Sequence, residues 1–224
     1  MALTLLIGDK NYSSWSLRPW ITMRATGIAF EEVLIPLGAD DFKERVSKVS
    51  PTGKVPALID GEQHIWESIA IIEHLAEKFP EAGLWPSDAH ARTHARAIAA
   101  EMHAGFNALR SHCPMNMRRP ARKRELPTEV QANVTRIDTL WTECRARHGH
   151  DGPFLFGRFC AADAMYAPVV SRFVTYGIEV GAAARAYMAA ITALPAYVEW
   201  EAAGITEPWV LPEVEVDWPT VLRA

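Results

Sequence analysis

Cysteine is scarce in this 224-residue chain, with three in all. Cys113, Cys144 and Cys160 are odd in number and widely spaced. They form no C-x-x-C pair and no zinc-ligand spacing, so neither a disulfide framework nor a metal finger fits, and a reducing, cytoplasmic setting is expected. Excess positive charge is missing too. With 23 Lys and Arg against 27 Asp and Glu, net charge −4, the chain offers no electrostatic case for nucleic acid or an anionic membrane as partner. Long apolar runs are absent. Residues 1–7 lack a basic leader and break at Gly8-Asp9, so they are expected to form a first strand rather than a signal peptide or a span. Internal repeats and low-complexity tracts are lacking. His90, His94, His148 and His150 have no metal-ligand grouping, and no metal is expected.

What the chain does have is an ordinary folded composition, 49% hydrophobic, and a change of character near its first third. Residues 3–8 read as a buried strand, and a polar loop follows. Leu17, Trp20, Ile21 and Ala25 then recur at helical spacing until Gly27, with Pro19 placed near the first turn. Strand 30–37, helix 42–49 and a hairpin of 57–59 with 63–66 across Asp60-Gly61 come next, then helix 68–79. The order β-α-β-α-β-β-α suits a small mixed sheet with helices on its faces. Gly83, Pro86, Ser87 and Asp88 mark a linker, and Ala-rich helical pattern follows over 89–112, 128–148, 162–176, 182–193 and 195–203. The expected division is 1–80, a linker at 81–89, and an all-helical 90–224.

Two short motifs carry chemistry. Val55-Pro56 opens a strand where proline cannot donate a ladder hydrogen bond and the X-Pro bond is open to the cis form. Glu67-Ser68 precedes a helix, with Ser68 read as its N-cap, and a helix N-terminus attracts a carboxylate. Together they suggest a dock for a small acidic peptide. Ser13, Ser14 and Ser16, each by itself a plausible N-cap, crowd the start of the first helix.

These motifs, Asn11 to Pro19, Gly53-Lys54-Val55-Pro56, Glu67-Ser68, and Phe156 to Asp163, resemble those of the cytosolic glutathione transferases, over essentially the whole chain. The serine pair is most similar to the zeta class. The resemblance implies a thioredoxin-like α/β domain joined to an all-α helical bundle. It implies that glutathione docks along Val55 and cis-Pro56, its γ-glutamyl end held by Glu67 and Ser68 and its glycyl end near Lys54. Ser13, or second Ser14, would face the thiol, with Trp15 alongside. A hydroxyl and a helix dipole lower a thiol pKa toward neutrality, so that thiolate is present to attack a small electrophile. Zeta-like sequences carry cysteine where Trp15 stands, so mixed-disulfide chemistry has no nucleophile in this loop.

The implied activity is a glutathione transferase. The alternatives are a glutathione-dependent cis-trans isomerase of maleylacetoacetate-like diacids and a non-catalytic ligand-binding module of the same fold. Acceptor-pocket candidates are His103, Phe106, Asn107, Arg110 and Met115 on or after the first long downstream helix. The basic run Arg118, Arg119, Arg122, Lys123 and Arg124 reads as a solvated loop. Cys160 replaces the family's usual Ser or Thr cap, leaving Asp163 to make the reciprocal backbone contact. The resemblance also implies a homodimer.

Overall fold

The structure, a computed structural model, describes residues 2–119, 123 and 125–215. Arg122 and Arg124 of the expected basic loop lie outside the described residues. Strands β1 (Leu3–Ile7), β2 (Phe30–Leu34), β3 (Ala57–Asp60) and β4 (Gln63–Trp66) form one sheet in the order β2-β1-β3-β4. β1 runs parallel to β2 and antiparallel to β3, with Leu6 opposite Ala57, and β3 pairs with β4 in a hairpin. Successive side chains of a strand point to opposite faces, and β1 is apolar on both. Leu3, Leu5 and Ile7 join the main core with α1 (Ser14–Thr26) and α3 (Ser68–Lys78). Leu6 joins Ile35, Val46 and Ala57 in a smaller cluster under α2 (Phe42–Ser47). Gly27 closes α1 in the left-handed conformation, φ 73°, where glycine carries no Cβ penalty. Pro19 stands in the interior of α1 rather than its first turn, so its missing N–H removes one helical hydrogen bond.

The downstream region is helical: α4 (Ala89–Ala104), α5 (Asn107–His112), α6 (Thr128–His148), α7 (Ala161–Thr175), α8 (Ala182–Thr192) and α9 (Pro195–Thr206). The single helix expected over 89–112 is broken. α4 ends on Gly105, whose N–H returns to Glu101 O, and Phe106 takes φ 59° before α5 begins. A side chain at Gly105 would stand 2.7 Å from the Glu101 carbonyl.

α7 is buried along nearly its whole length and packs against α1, α4 and α8, the pattern of a helix apolar on every side. Its start is fixed by Asp163, which accepts Cys160 N–H at 2.8 Å and Leu155 N–H at 3.1 Å. Burial raises this carboxyl to about 6 against those bonds. α9 lies across the amino-terminal loop. Trp200 Nε1 donates to Lys10 O at 2.9 Å, and a Cβ at Gly204 would lie 3.0 Å from Asn11 N.

Candidate active site

A cavity of about 380 Å³ opens where the sheet region meets α4, walled by Trp15, Lys54, Val55, Pro56, Ser68 and His103, with Thr52, Glu67 and Ala104 at its edges. The Val55-Pro56 bond is cis. Ser68 is fully buried but is the first helical residue of α3. The expected N-cap role falls instead to Glu67, which takes φ 68° and makes no side-chain cap bond. With its side chain half exposed, Glu67 reaches His103 Nε2 at 3.6 Å.

Trp15 is held between cations. The Arg18 guanidinium lies 4.1 Å from its ring centroid and that of Arg110 4.7 Å, while His103 meets its edge at 5.2 Å. Such contacts are worth most when desolvated. Arg18 is 1% exposed, its Nη1 3.4 Å from Ser68 Oγ and its Nε buried without a partner. Arg110 donates to the carbonyls of Met102 and His103. Arg172 of α7 donates to Cys113 O, Pro168 O and Ser14 Oγ. Every hydrogen-bond partner of these three guanidiniums among the described residues is a hydroxyl or a carbonyl oxygen.

Burial, then Arg110 and Arg172, holds Arg18 well below the usual arginine range. Burial also lowers Arg110, and burial, then Arg110, lowers Arg172 to about 10. His103 is lowered by burial and then by Arg18, so it favours the neutral form. The result is a cleft with concentrated positive charge behind its wall.

The serines lie just behind the same wall. Ser13 is the N-cap of α1, accepting Ser16 N–H at 3.3 Å, and Ser14 begins the helix. Both are buried, and Trp15 is the residue of this turn that lines the cavity. Of the acceptor candidates, His103 lines the cavity and Arg110 flanks it through Trp15. Phe106 and Met115 are packed into the core instead, and Asn107 points to solvent, because the break at Gly105 turns α5 away from the line of α4.

Arg118 and Arg119 are not on a solvated loop. They are 7% and 1% exposed and hold a carboxy-terminal strap, residues 207–215, against the serine-bearing loop. Arg118 donates to the carbonyls of Glu207 and Trp209 and to Tyr12 OH, and Arg119 pairs with Glu215 at 2.7 Å. Glu207 accepts the N–H groups of Lys10 and Asn11 at 2.8 and 2.9 Å, and Glu215 accepts Tyr12 OH at 2.6 Å. Lys123 is exposed and meets Glu179. The cysteines are buried and form no disulfide; burial pushes Cys144 to about 12 and holds Cys160 well above the usual thiol range, so neither supplies a thiolate.

Sequence reasoning passed over Arg18 as a site residue and missed Arg172. The signal for Arg172 was its position inside the otherwise apolar run of α7, where a charge is out of place.

The fold places the chain among proteins that join a four-stranded thioredoxin-like domain to a helical region. Residues 12–78 match the family model described as glutathione S-transferase, N-terminal domain. A glutathione transferase homolog from Burkholderia, crystallised with bound glutathione, superposes with a TM-score of 0.68 over 89% of this chain and 96% of that one, at 24% identity. A zeta-class glutathione S-transferase of Euphorbia esula is 40% identical over 35% of each chain. A probable maleylacetoacetate isomerase of Caenorhabditis elegans is 34% identical over 45% of this chain and 46% of that one. The match thus spans less than half the length of these curated relatives. The amino-terminal region is thus similar to that domain family and to zeta-class members of it, and the whole chain shares their fold. Among the described residues, no helix is long and apolar enough to cross a membrane.

Proposed function

We propose that the protein is a glutathione transferase of the reducing cytoplasm, acting as a homodimer. Glutathione lies extended along Val55 and Pro56, with its γ-glutamyl carboxylate at Ser68 and the α3 N-terminus and its ammonium at Glu67. Its glycyl carboxylate is near Lys54. A hydroxyl at the start of α1, from Ser13 or Ser14, stabilises the thiolate, which adds to a small electrophile approaching from the His103 side.

The observation that carries this reading is the single cavity shared by Val55, cis-Pro56, Glu67 and Ser68 beside the first turn of α1. Calorimetric titration with glutathione tests it. Saturable binding is expected, and no heat at millimolar ligand rejects every glutathione-dependent reading. A panel of aryl halides and epoxides then identifies the acceptor class, and sedimentation tests the dimer.

A second reading, a glutathione-dependent isomerase of maleylacetoacetate-type diacids, draws support from the guanidiniums of Arg18 and Arg110 against Trp15 and of Arg172 against Ser14. Desolvated cations with no carboxylate hydrogen-bonded to them favour an anionic co-substrate. In that reaction the thiolate adds and leaves again, so product analysis that recovers free glutathione with isomerised diacid separates it from transfer.

A further inference from the structure

A second cavity opens away from the cleft beside Val55, where the linker at 81–88 faces the loop at 149–160, and it holds about 720 Å³ against about 380 Å³ for the cleft. α4 separates the two. It is 16 residues long, about 24 Å at 1.5 Å per residue. Asp88 and Ala91 at its start line this second cavity, whereas His103 and Ala104 at its end line the cleft.

The walls are aromatic, and each is fastened by bonds within the protein. Trp85 donates its Nε1–H to Glu73 at 3.1 Å. Phe156 stacks on His148 with ring centroids 5.1 Å apart and planes 21° from parallel, with His94 against its edge, and Phe159 meets Phe154 edge-on at 5.6 Å. The loop that carries both phenylalanines is pinned by Arg145, which donates to the carbonyls of Gly152 and Phe154, and by the two Asp163 bonds described above. Ala161 N–H, donating to Leu84 O at 2.8 Å, ties this loop to the linker. The cavity is therefore preformed, and its volume falls within the range of about 300–1,000 Å³ usual for small-molecule sites.

Its charge is uneven. Glu81, Asp88 and Asp151 line it with a single guanidinium, that of Arg158. Asp88 Oδ2 accepts Ala91 N–H at 2.7 Å, which holds its carboxyl below the usual range and keeps it anionic. Glu81, Asp151 and Arg158 make no hydrogen bond or ion pair among the described residues, so their capacity for a ligand is unspent. Arg96 lies 5.5 Å from the Trp85 ring centroid, but it is paired with Glu73 at 3.3 Å. Aromatic faces attract cations, and an excess of carboxylate attracts them further.

We propose that this cavity is a second binding site, separate from the cleft beside Val55, for a small aromatic organic cation. The ring lies against Phe159, Phe156 and Trp85, and the positive charge faces Glu81 and Asp151. Arg158 at the same site discriminates against a more highly charged cation.

Three bicyclic compounds of nearly equal size test it by calorimetric titration of the full chain at low ionic strength and pH 8, where imidazole is ordinarily neutral. N-methylquinolinium is positive, quinoline neutral and 1-naphthoate negative. Saturable binding of N-methylquinolinium is expected, about fivefold tighter than quinoline, with 1-naphthoate weakest. Glu81→Gln and Asp151→Asn, both at exposed positions, should each weaken the cation about threefold and leave quinoline unchanged, an effect that added salt removes. Arg158→Gln should tighten the cation by a similar factor. Phe159→Leu keeps an apolar side chain without the ring and should weaken it about fivefold.

Equal affinity for the three compounds overturns the assignment, as does an N-methylquinolinium affinity that none of the four substitutions moves. So does the lack of saturable binding. Excess glutathione should leave the cation bound, since displacement would put it in the cleft beside Val55 and remove the case for a separate site. Circular dichroism checks the fold of each variant; should Phe159→Leu unfold, the three charge substitutions decide the question by themselves.

Discussion

Two groups of buried or half-buried arginine sit within the same molecule, and they differ in one respect: the first includes Arg119, hydrogen-bonded to a carboxylate, and the second has no such member among the described residues. Arg118 and Arg119 hold the strap through backbone carbonyls, a tyrosine hydroxyl and the Glu215 carboxylate. Arg18, Arg110 and Arg172 surround Trp15 and Ser14 with carbonyls and hydroxyls alone as hydrogen-bond partners among the described residues. A buried charge costs several kcal/mol unless paired, so the first group is a fastening and the second a site that gains from an arriving anion. Burial by itself does not distinguish structure from function here; the chemistry of the partners does.

The comparison can be broken most sharply at the strap. Glu215→Ala is expected to lower unfolding stability by about 2 kcal/mol in denaturant titrations, because it leaves Arg119 buried beside a lost carboxylate. Arg18→Met should behave in the opposite way. Removing that cation should leave stability unchanged or raise it by about 1 kcal/mol, while glutathione affinity falls on the order of tenfold. Equal destabilisation by both variants would erase the distinction between the groups.

A buried charge of the other sign sharpens it further. Asp163 is compensated by two backbone N–H groups, yet burial still raises its pKa from 3.8 to about 6. The folded state therefore holds this proton more tightly than the unfolded one. Its contribution is fully present below about pH 4 and is lost as pH rises through about 6. Asp163→Asn should flatten that part of the stability profile, measured by urea unfolding across the range. An unchanged slope would show that another group titrates there.

The order of elements up to α3 was legible because each depends on local periodicity and turn residues: Gly27, the Asp60-Gly61 hairpin and the alternating faces of β1. The residues of Val55-Pro56 and Glu67-Ser68 were legible as motifs, and the fold brings them to one cavity with Trp15 and His103. The break between α4 and α5 was not, since one glycine within a helical pattern costs only about 1 kcal/mol and is often tolerated. Nor was the fate of Arg118 and Arg119. Their burial depends on Glu207 and Glu215, nearly a hundred residues further on, and no local pattern links them. Arg172 was legible as an anomaly in α7, but its partner Ser14 lies 158 residues away.

The strap also sets an order of assembly in time. The carboxylate of Glu207 meets Lys10 and Asn11 across 197 and 196 residues. At a synthesis rate of about 5–20 residues per second, the loop waits roughly 10–40 s after it is made before its clamp exists. The sheet around β1 can pair in that interval, but the turn carrying Ser13 and Ser14 is completed only when the far end of the helical region docks. A turn translated well before the helical region is thus among the last parts to be locked in place.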